Sequence, residues 1–223
     1  MIFLFNEEVG KELLTLRGED FKYLIKVRRH QLQDTLSFRS LSDTKFLYHY
    51  TITHIAPREV TLQLESKQQK ISAPKQFLHV GWCVIDNKSV EKVLPMLNEI
   101  GVGKISFIYC DRSQKNFKPD LKRFERILRS SMQQCGRSEF MEFEIYKTLE
   151  DFLHNYPEVK VFDFCENYLS KEAKFESVLI GCEGGFSKAE KELLAKQEVF
   201  ALPTPLVLRS ETAVCAVASK ILL

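Results

Sequence analysis

Long hydrophobic runs are missing: nothing in the 223 residues approaches the roughly 20 consecutive apolar positions of a membrane-spanning helix. No membrane partner is expected. A basic leader is also missing. Met1-Ile2-Phe3-Leu4-Phe5 runs directly into Asn6-Glu7-Glu8, which reads as a first strand rather than a secretory signal. Clustered cysteine is absent too. Cys83, Cys110, Cys135, Cys165, Cys182 and Cys215 are far apart, with no CxxC and no neighbouring histidine. Zinc needs grouped soft ligands, so no metal is expected. A chain of this size without a secretory signal has no need of disulfides, so reduced thiols and a cytoplasmic location are predicted. Internal repeats and low-complexity tracts are lacking as well.

What is present is an uneven distribution of charge. The formal net charge is only +2. Yet Arg112, Lys115, Lys118, Lys122, Arg123, Arg126, Arg129 and Arg137 fall in one stretch that holds only Asp120 and Glu125 as acids. Lys22, Lys26, Arg28, Arg29 and His30 form a second group. Basic clusters on a near-neutral chain suit a polyanion met locally, or simply a solvated helix face.

Texture divides the chain. Up to about residue 65 it reads as short β-segments: Leu36–Phe38, Phe46–Ile52 and Val60–Leu64, with turn residues at Ser42-Asp43 and Pro57-Arg58. Glu19 to Val27 has helical spacing, with Phe21, Leu24 and Ile25 on one face. A small β-barrel domain over residues 1–70 is predicted, and the polar stretch Ser66–Lys75 reads as a linker. From residue 75 to 223 apolar runs at Leu78–Ile85, Ile105–Cys110, Val159–Phe164, Val178–Ile180 and Val199–Leu202 alternate with helical stretches. The helical stretches are Val90–Ile100, Pro119–Gln134, Lys188–Gln197 and Glu211–Leu223. That alternation predicts an α/β domain with a mostly parallel sheet covered on both faces. Pro119 suits a first helical turn, Ser187-Lys188-Ala189-Glu190 fits a capping box, and Pro95 interrupts its helix pattern.

Two segments carry the chemical signal. Val178-Leu179-Ile180-Gly181-Cys182-Glu183-Gly184-Gly185-Phe186-Ser187 reads as a buried strand, a glycine-rich turn and a capped helix start. In parallel sheets, ligands bind beyond the carboxyl ends of strands, where this turn belongs. Its spacing is not G-x-G-x-x-G, and it lacks the lysine of a P-loop. A tight strand-to-helix turn and a ligand-binding loop both remain open. The second segment, Leu202-Pro203-Thr204-Pro205-Leu206-Val207-Leu208-Arg209-Ser210-Glu211-Thr212, enters an apolar helix whose free N–H groups suit a polar ligand, or whose first-turn carboxylate simply complements the helix dipole.

Gly181-Cys182-Glu183-Gly184-Gly185-Phe186-Ser187 and Val207-Leu208-Arg209-Ser210-Glu211-Thr212-Ala213 together resemble the signature pair of the RsmE family. These are the 16S ribosomal RNA uridine N3-methyltransferases of the SPOUT superfamily. Glu99-Ile100-Gly101-Val102, Asp111-Arg112-Ser113 and Gln133-Gln134-Cys135-Gly136-Arg137 fall in the family's order, and Tyr23–Arg29 resembles its PUA-like RNA-binding domain. The chain departs from the family pattern at Cys182, Thr204, Arg28, Tyr23 and Met96.

The resemblance implies a deep trefoil knot in the C-terminal third, a homodimer, and bent S-adenosylmethionine held by Gly181, Glu183, Gly184, Gly185, Leu202, Thr204 and Leu208. The apolar residues of the last helix, Ala213, Val214, Ala216, Val217, Ile221 and Leu222, suit a dimer contact or ordinary core. The expected partner is 16S ribosomal RNA or the small ribosomal subunit, with phosphates on Lys26, Arg29, Arg112 and Lys115. Deprotonating uracil N3 needs a base, for which Glu211 is the candidate, and a cation for the developing oxyanion, Arg209 or Arg137. The alternatives are a ribose 2′-O SPOUT enzyme and a non-catalytic RNA-binding assembly factor.

Overall fold

The computed structural model describes residues 2–116, 118–170 and 174–223. It separates into two compact units, Met1–Ala73 with Met132–Glu139, and Pro74–Ser131 with Phe140–Leu223.

The first unit is built on a five-stranded sheet. Its strands are β1 (Leu4–Phe5), β2 (Leu13–Arg17), β3 (Thr35–Arg39), β4 (Phe46–Ile55) and β5 (Glu59–Gln69), in the order β1-β3-β4-β5-β2. Only β1 and β3 run parallel. Side chains of a strand alternate between faces, so Leu14 and Leu16 of β2 turn inward while Leu13, Thr15 and Arg17 stay exposed. Phe21, Leu24, Leu36, Phe38, Tyr48, Tyr50, Ile52, Val60 and Leu62 share that core. Register shifts between β4 and β5 at His49/Tyr50 and Ile52/His54 bend the sheet, as bulges do, into a half-barrel.

Two expectations for this unit are corrected. The helix expected over residues 19–27 is α-helical only over α1 (Gly18–Phe21) and widens to a π-helix over Lys22–Val27. Arg28 N–H there donates to the Tyr23 carbonyl at 2.8 Å, one residue further back than in an α-helix. The stretch read as a linker from Ser66 is β-strand as far as Gln69, because Phe46–His49 pairs with it. Its polarity reflects exposure on both faces rather than irregular backbone.

The second unit is an α/β domain. Strands β6 (His79–Cys83), β7 (Lys104–Ile108), β8 (Glu142–Tyr146), β9 (Lys160–Phe162), β10 (Ser177–Ile180) and β11 (Val199–Phe200) form one parallel sheet ordered β11-β9-β10-β6-β7-β8. Helices α2 (Asn87–Ile100), α3 (Leu121–Cys135), α4 (Leu149–Asn155), α5 (Lys188–Leu193) and α6 (Ser210–Leu222) connect and follow the strands. Central β6 is buried at every position, so a continuous apolar run identified it. Edge strand β8 reads Glu-Phe-Glu-Ile-Tyr and is half exposed, which is why no apolar run marked it.

Helix α2 buries Val90, Val93, Leu94 and Leu97, a 3.6-residue stripe. Asp86 caps it by accepting from Ser89 N–H at 3.0 Å, and the helix continues through Pro95. On α3, Phe124 and Leu128 are buried, while Arg123 pairs with Glu91 at 2.6 Å and Arg129 with Glu125 at 3.1 Å. Part of the basic stretch is therefore a solvated, ion-paired helix face. Ala213, Val214, Val217 and Ile221 of α6 are core residues of their own unit.

The amino-terminal edge of this sheet holds a polar network. Ser106 donates to Glu144 at 3.2 Å, so the Ser106 oxygen must accept from His79 Nε2–H at 2.8 Å. His79 is therefore the neutral Nε2–H tautomer, with Nδ1 3.4 Å from the Ser177 hydroxyl. Lys104 joins Glu144 at 2.7 Å and the Tyr156 hydroxyl at 2.9 Å. Burial and the Lys104 charge push His79 down from 6.5 to about 4. The unfolded chain thus binds a proton at His79 below pH 6.5 that the folded chain refuses until about pH 4. Stability should fall as pH drops through that window, by at most about 1.4 kcal/mol per pH unit from this group. Urea unfolding between pH 7 and 4.5 should show a shallower dependence in His79→Gln than in the natural chain; equal slopes would remove His79 as the cause.

Candidate active site

The carboxyl ends of β9, β10 and β11 open into a pocket of about 520 Å³. Three loops build it: Asp163–Tyr168 after β9, Gly181–Phe186 after β10, and Ala201–Leu208 after β11; Arg112, after β7, also lines it. Apolar Phe162, Ile180, Phe186, Ala201, Leu202 and Leu208 make its buried or half-buried surfaces.

Local sequence explains why the β10 loop has this form. Gly185 takes φ +64°, a left-handed conformation that side chains with a Cβ disfavour, and its N–H donates to the Cys182 carbonyl at 2.9 Å. The turn ends in Ser187, which caps α5 in the capping box expected from its sequence. Ser187 Oγ accepts from Glu190 N–H at 3.2 Å, and a Glu190 carboxylate oxygen accepts from Ser187 N–H at 2.8 Å. The other Glu190 oxygen accepts from Asp111 N–H at 2.8 Å, and Ser187 Oγ–H donates to Asp111 at 2.5 Å. One buried carboxylate therefore ties the loop after β7 to the glycine-rich loop. Arg112 follows directly and donates to the Gly184 carbonyl at 2.6 Å.

The third loop is anchored through α6. Ser210, the first residue of α6, donates to the Gly181 carbonyl at 2.6 Å and accepts from the buried Trp82 indole N–H at 2.8 Å. Strand β6, the glycine-rich loop and the start of the last helix are thereby held by one hydroxyl.

The residues singled out from sequence are distributed as follows. Gly181, Glu183, Gly184, Gly185, Leu202, Thr204 and Leu208 all line the pocket, and so does Arg112. Glu211 and Arg209 flank Ser210 but are not among the lining residues. Arg209 is exposed; Glu211 is half buried, with one carboxylate oxygen enclosed and without a hydrogen-bond partner among the described residues. Its charge, second to burial, raises the Cys215 thiol to about 11. Arg137 is buried, and Lys26 and Arg29 are exposed, in the unit made of Met1–Ala73 and Met132–Glu139. Burial disfavours the charged form of Arg137. Lys115 is exposed on the loop that follows β7. Asp163, Phe164, Cys165 and Tyr168 were missed, because Val159–Phe164 reads as one buried strand when strand spacing is the only guide.

The chain belongs to the RNA methyltransferase family, whose domain model matches residues 72–222. Ribosomal RNA small subunit methyltransferase E of Helicobacter pylori (strain ATCC 700392 / 26695) is 38% identical over 223 residues, covering 98% of each chain. The enzyme of the same name from Aquifex aeolicus is 29% identical, also with 98% of each chain covered. Among solved structures, the Neisseria gonorrhoeae ribosomal RNA small subunit methyltransferase E, bound to S-adenosylmethionine, superposes with a TM-score of 0.75 at 15% identity, over 98% of this chain and 96% of that one. A Legionella pneumophila protein with bound S-adenosylmethionine reaches 0.78 at 21% identity, over 99% and 96%. At those identities the likeness concerns the fold.

Ser210→Ala should strand the Trp82 indole N–H and free the Gly181 loop. A loss of about 1–3 kcal/mol in urea unfolding is expected, the usual cost of a buried donor left unsatisfied. A loss below about 0.5 kcal/mol would mean that the three elements are held together some other way.

Proposed function

We propose that this protein is an S-adenosylmethionine-dependent methyltransferase acting on N3 of a uridine in 16S ribosomal RNA, in the cytoplasm. The observation that carries the reading is the pocket itself. The two signature segments, separated in sequence by α5 and β11, form neighbouring walls of one cleft at the carboxyl ends of a parallel sheet. Its size lies within the roughly 300–1,000 Å³ of small-molecule clefts.

The residues present suit the cofactor's chemistry. The apolar floor accepts an adenine and the methylene chain beside a sulfonium, the main-chain groups of Gly181–Gly185 offer polar contacts, and the Glu183 carboxylate suits a cationic ligand. When bound, S-adenosylmethionine supplies an electrophilic methyl group carried on a sulfonium. The chain's own task is to present uracil N3 to that methyl in line and to remove its proton.

Glu211 is the proposed general base. Its enclosed, unpartnered carboxylate oxygen is a polar group awaiting a donor, as the N3–H would provide. Arg209, which directly follows the pocket's third loop, is the first candidate for stabilising the uracil oxyanion, with Arg137 the second. The Watson–Crick edge must be free, so the base is unpaired or extruded. Lys26, Arg29, Arg112 and Lys115 hold phosphates, which set position and make affinity salt-dependent.

The fold proposal includes a PUA-like first domain over residues 1–70 and a SPOUT domain over 75–223 with a deep trefoil knot. Supporting the knot, β11 lies beyond β9 while the following α6 returns to pack on β10 and α2. A homodimer completes the reading; its support is the family likeness.

Incubating small subunits that lack the modification with labelled S-adenosylmethionine should yield N3-methyluridine by nucleoside mass spectrometry. A 2′-O-methyl product would keep the fold and cofactor and replace the acceptor; no transfer to any RNA would favour a binding factor. Glu211→Gln should lower kcat by about 10²–10⁴-fold, the usual contribution of a positioned base, with unchanged cofactor affinity. Near-natural kcat in that variant would remove Glu211 from the mechanism.

A further inference from the structure

We infer that Phe164, with Tyr168 further along the same loop, forms an aromatic lip on which the acceptor nucleobase stacks. This rests on the acceptor being an RNA base, as proposed above.

The pocket has two kinds of surface. Ile180, Phe186, Ala201 and Ala213 are buried, whereas Phe164, Tyr168, Leu206 and Val207 line the same cleft yet are exposed by 79%, 55%, 71% and 77%. The first set forms a floor that a cofactor would cover; the second forms a rim that faces whatever approaches the mouth. Phe164 is the most exposed aromatic ring among the described residues.

The backbone on either side of this ring is fastened. Just before Phe164, Asp163 N–H donates to the Phe200 carbonyl at 3.2 Å and the Asp163 carboxylate pairs with Lys191 at 3.1 Å. Phe164 N–H itself donates to the Asp163 side chain at 2.9 Å. Just after it, Asn167 donates to the Val199 carbonyl and accepts from Ala201 N–H, at 2.9 and 2.8 Å, and Leu169 N–H donates to the Ala201 carbonyl at 2.9 Å. A loop tied to β11 on both sides keeps the Phe164 backbone at the mouth of the cleft, where the exposed ring forgoes the roughly 1.5–3 kcal/mol that burying a large apolar side chain brings. The ring is held out towards solvent at the mouth of the cleft.

A nucleotide is the occupant whose chemistry matches the mouth. Every base has a π-face that stacks on an aromatic side chain without regard to its hydrogen-bonding edge, which leaves the N3 edge free to face the pocket. Arg112, exposed and lining the same cleft from the β7 side, supplies the positive charge that a nucleotide's phosphate or oxygens need. Phe164 is thus a positioning residue for the acceptor.

The test uses the full chain as Phe164→Ala and Phe164→Trp. Calorimetric binding of S-adenosylmethionine, kcat and KM on small subunits lacking the modification, and sedimentation would be read side by side. Expected are cofactor affinity within about twofold of the natural chain, kcat/KM on the ribosomal substrate down about 5- to 100-fold in Phe164→Ala, recovery in Phe164→Trp, and an unchanged mass. Parallel loss of cofactor affinity would place the ring in the cofactor site and overturn the lip. A changed mass would make it a subunit contact and overturn the lip as well. Unaltered kinetics in Phe164→Ala, with the natural chain active, would overturn the lip alone, whereas a natural chain that methylates no RNA would overturn the lip together with the function beneath it.

Discussion

A buried indole N–H must find an acceptor, and Trp82 finds it in a hydroxyl 128 residues away. Ser210 Oγ has one proton to give, and it goes to the carbonyl of Gly181. Strand β6, the glycine-rich turn after β10 and the first turn of α6 therefore stand in a fixed relation. The cleft walls follow from that relation, because the segment Leu202–Leu208 has to close the distance between β11 and the anchored Ser210. Hydrophobic burial of α6 against the sheet brings these parts near each other, and the hydroxyl sets their register.

A second fastening works through the Glu190 carboxylate. It accepts from Ser187 N–H within its own helix cap and from Asp111 N–H across the sheet. A capping residue thus also places Arg112 against Gly184. Local helix chemistry and the charge at the cleft's rim are one arrangement. The same economy appears in the β9 loop, where hydrogen bonds to β11 leave Phe164 facing solvent.

Buried strands, capped helices and the glycine-rich turn were readable in the chain because each is written in consecutive residues. Val178–Ile180 could hardly be anything but an interior strand, and Ser187 with Glu190 marks a helix start. Edge strand β8 and the short helix α4 were not readable. Half-exposed Glu142–Tyr146 lacks an apolar run, and a seven-residue helix shows too few turns to establish a period. The π-helical widening at Lys22–Val27 was hidden for a related reason, since Phe21 and Leu24 fall on one face of either helix type.

The residues that line the cleft divide along the same boundary. Sequence alone determined the turn at Gly181–Gly185, the loop through Leu202, Thr204 and Leu208, and the likeness that joined them, because these are short-range patterns of residue type. Tertiary structure alone decided that Asp163, Phe164 and Tyr168 belong with them and that one Glu211 carboxylate oxygen is buried with no hydrogen-bond partner among the described residues. An apolar residue at a strand's end has the same spacing whether it enters the core or leaves it. Which it does depends on the neighbouring strand that holds its backbone, and here that strand, β11, follows only after the glycine-rich turn and α5.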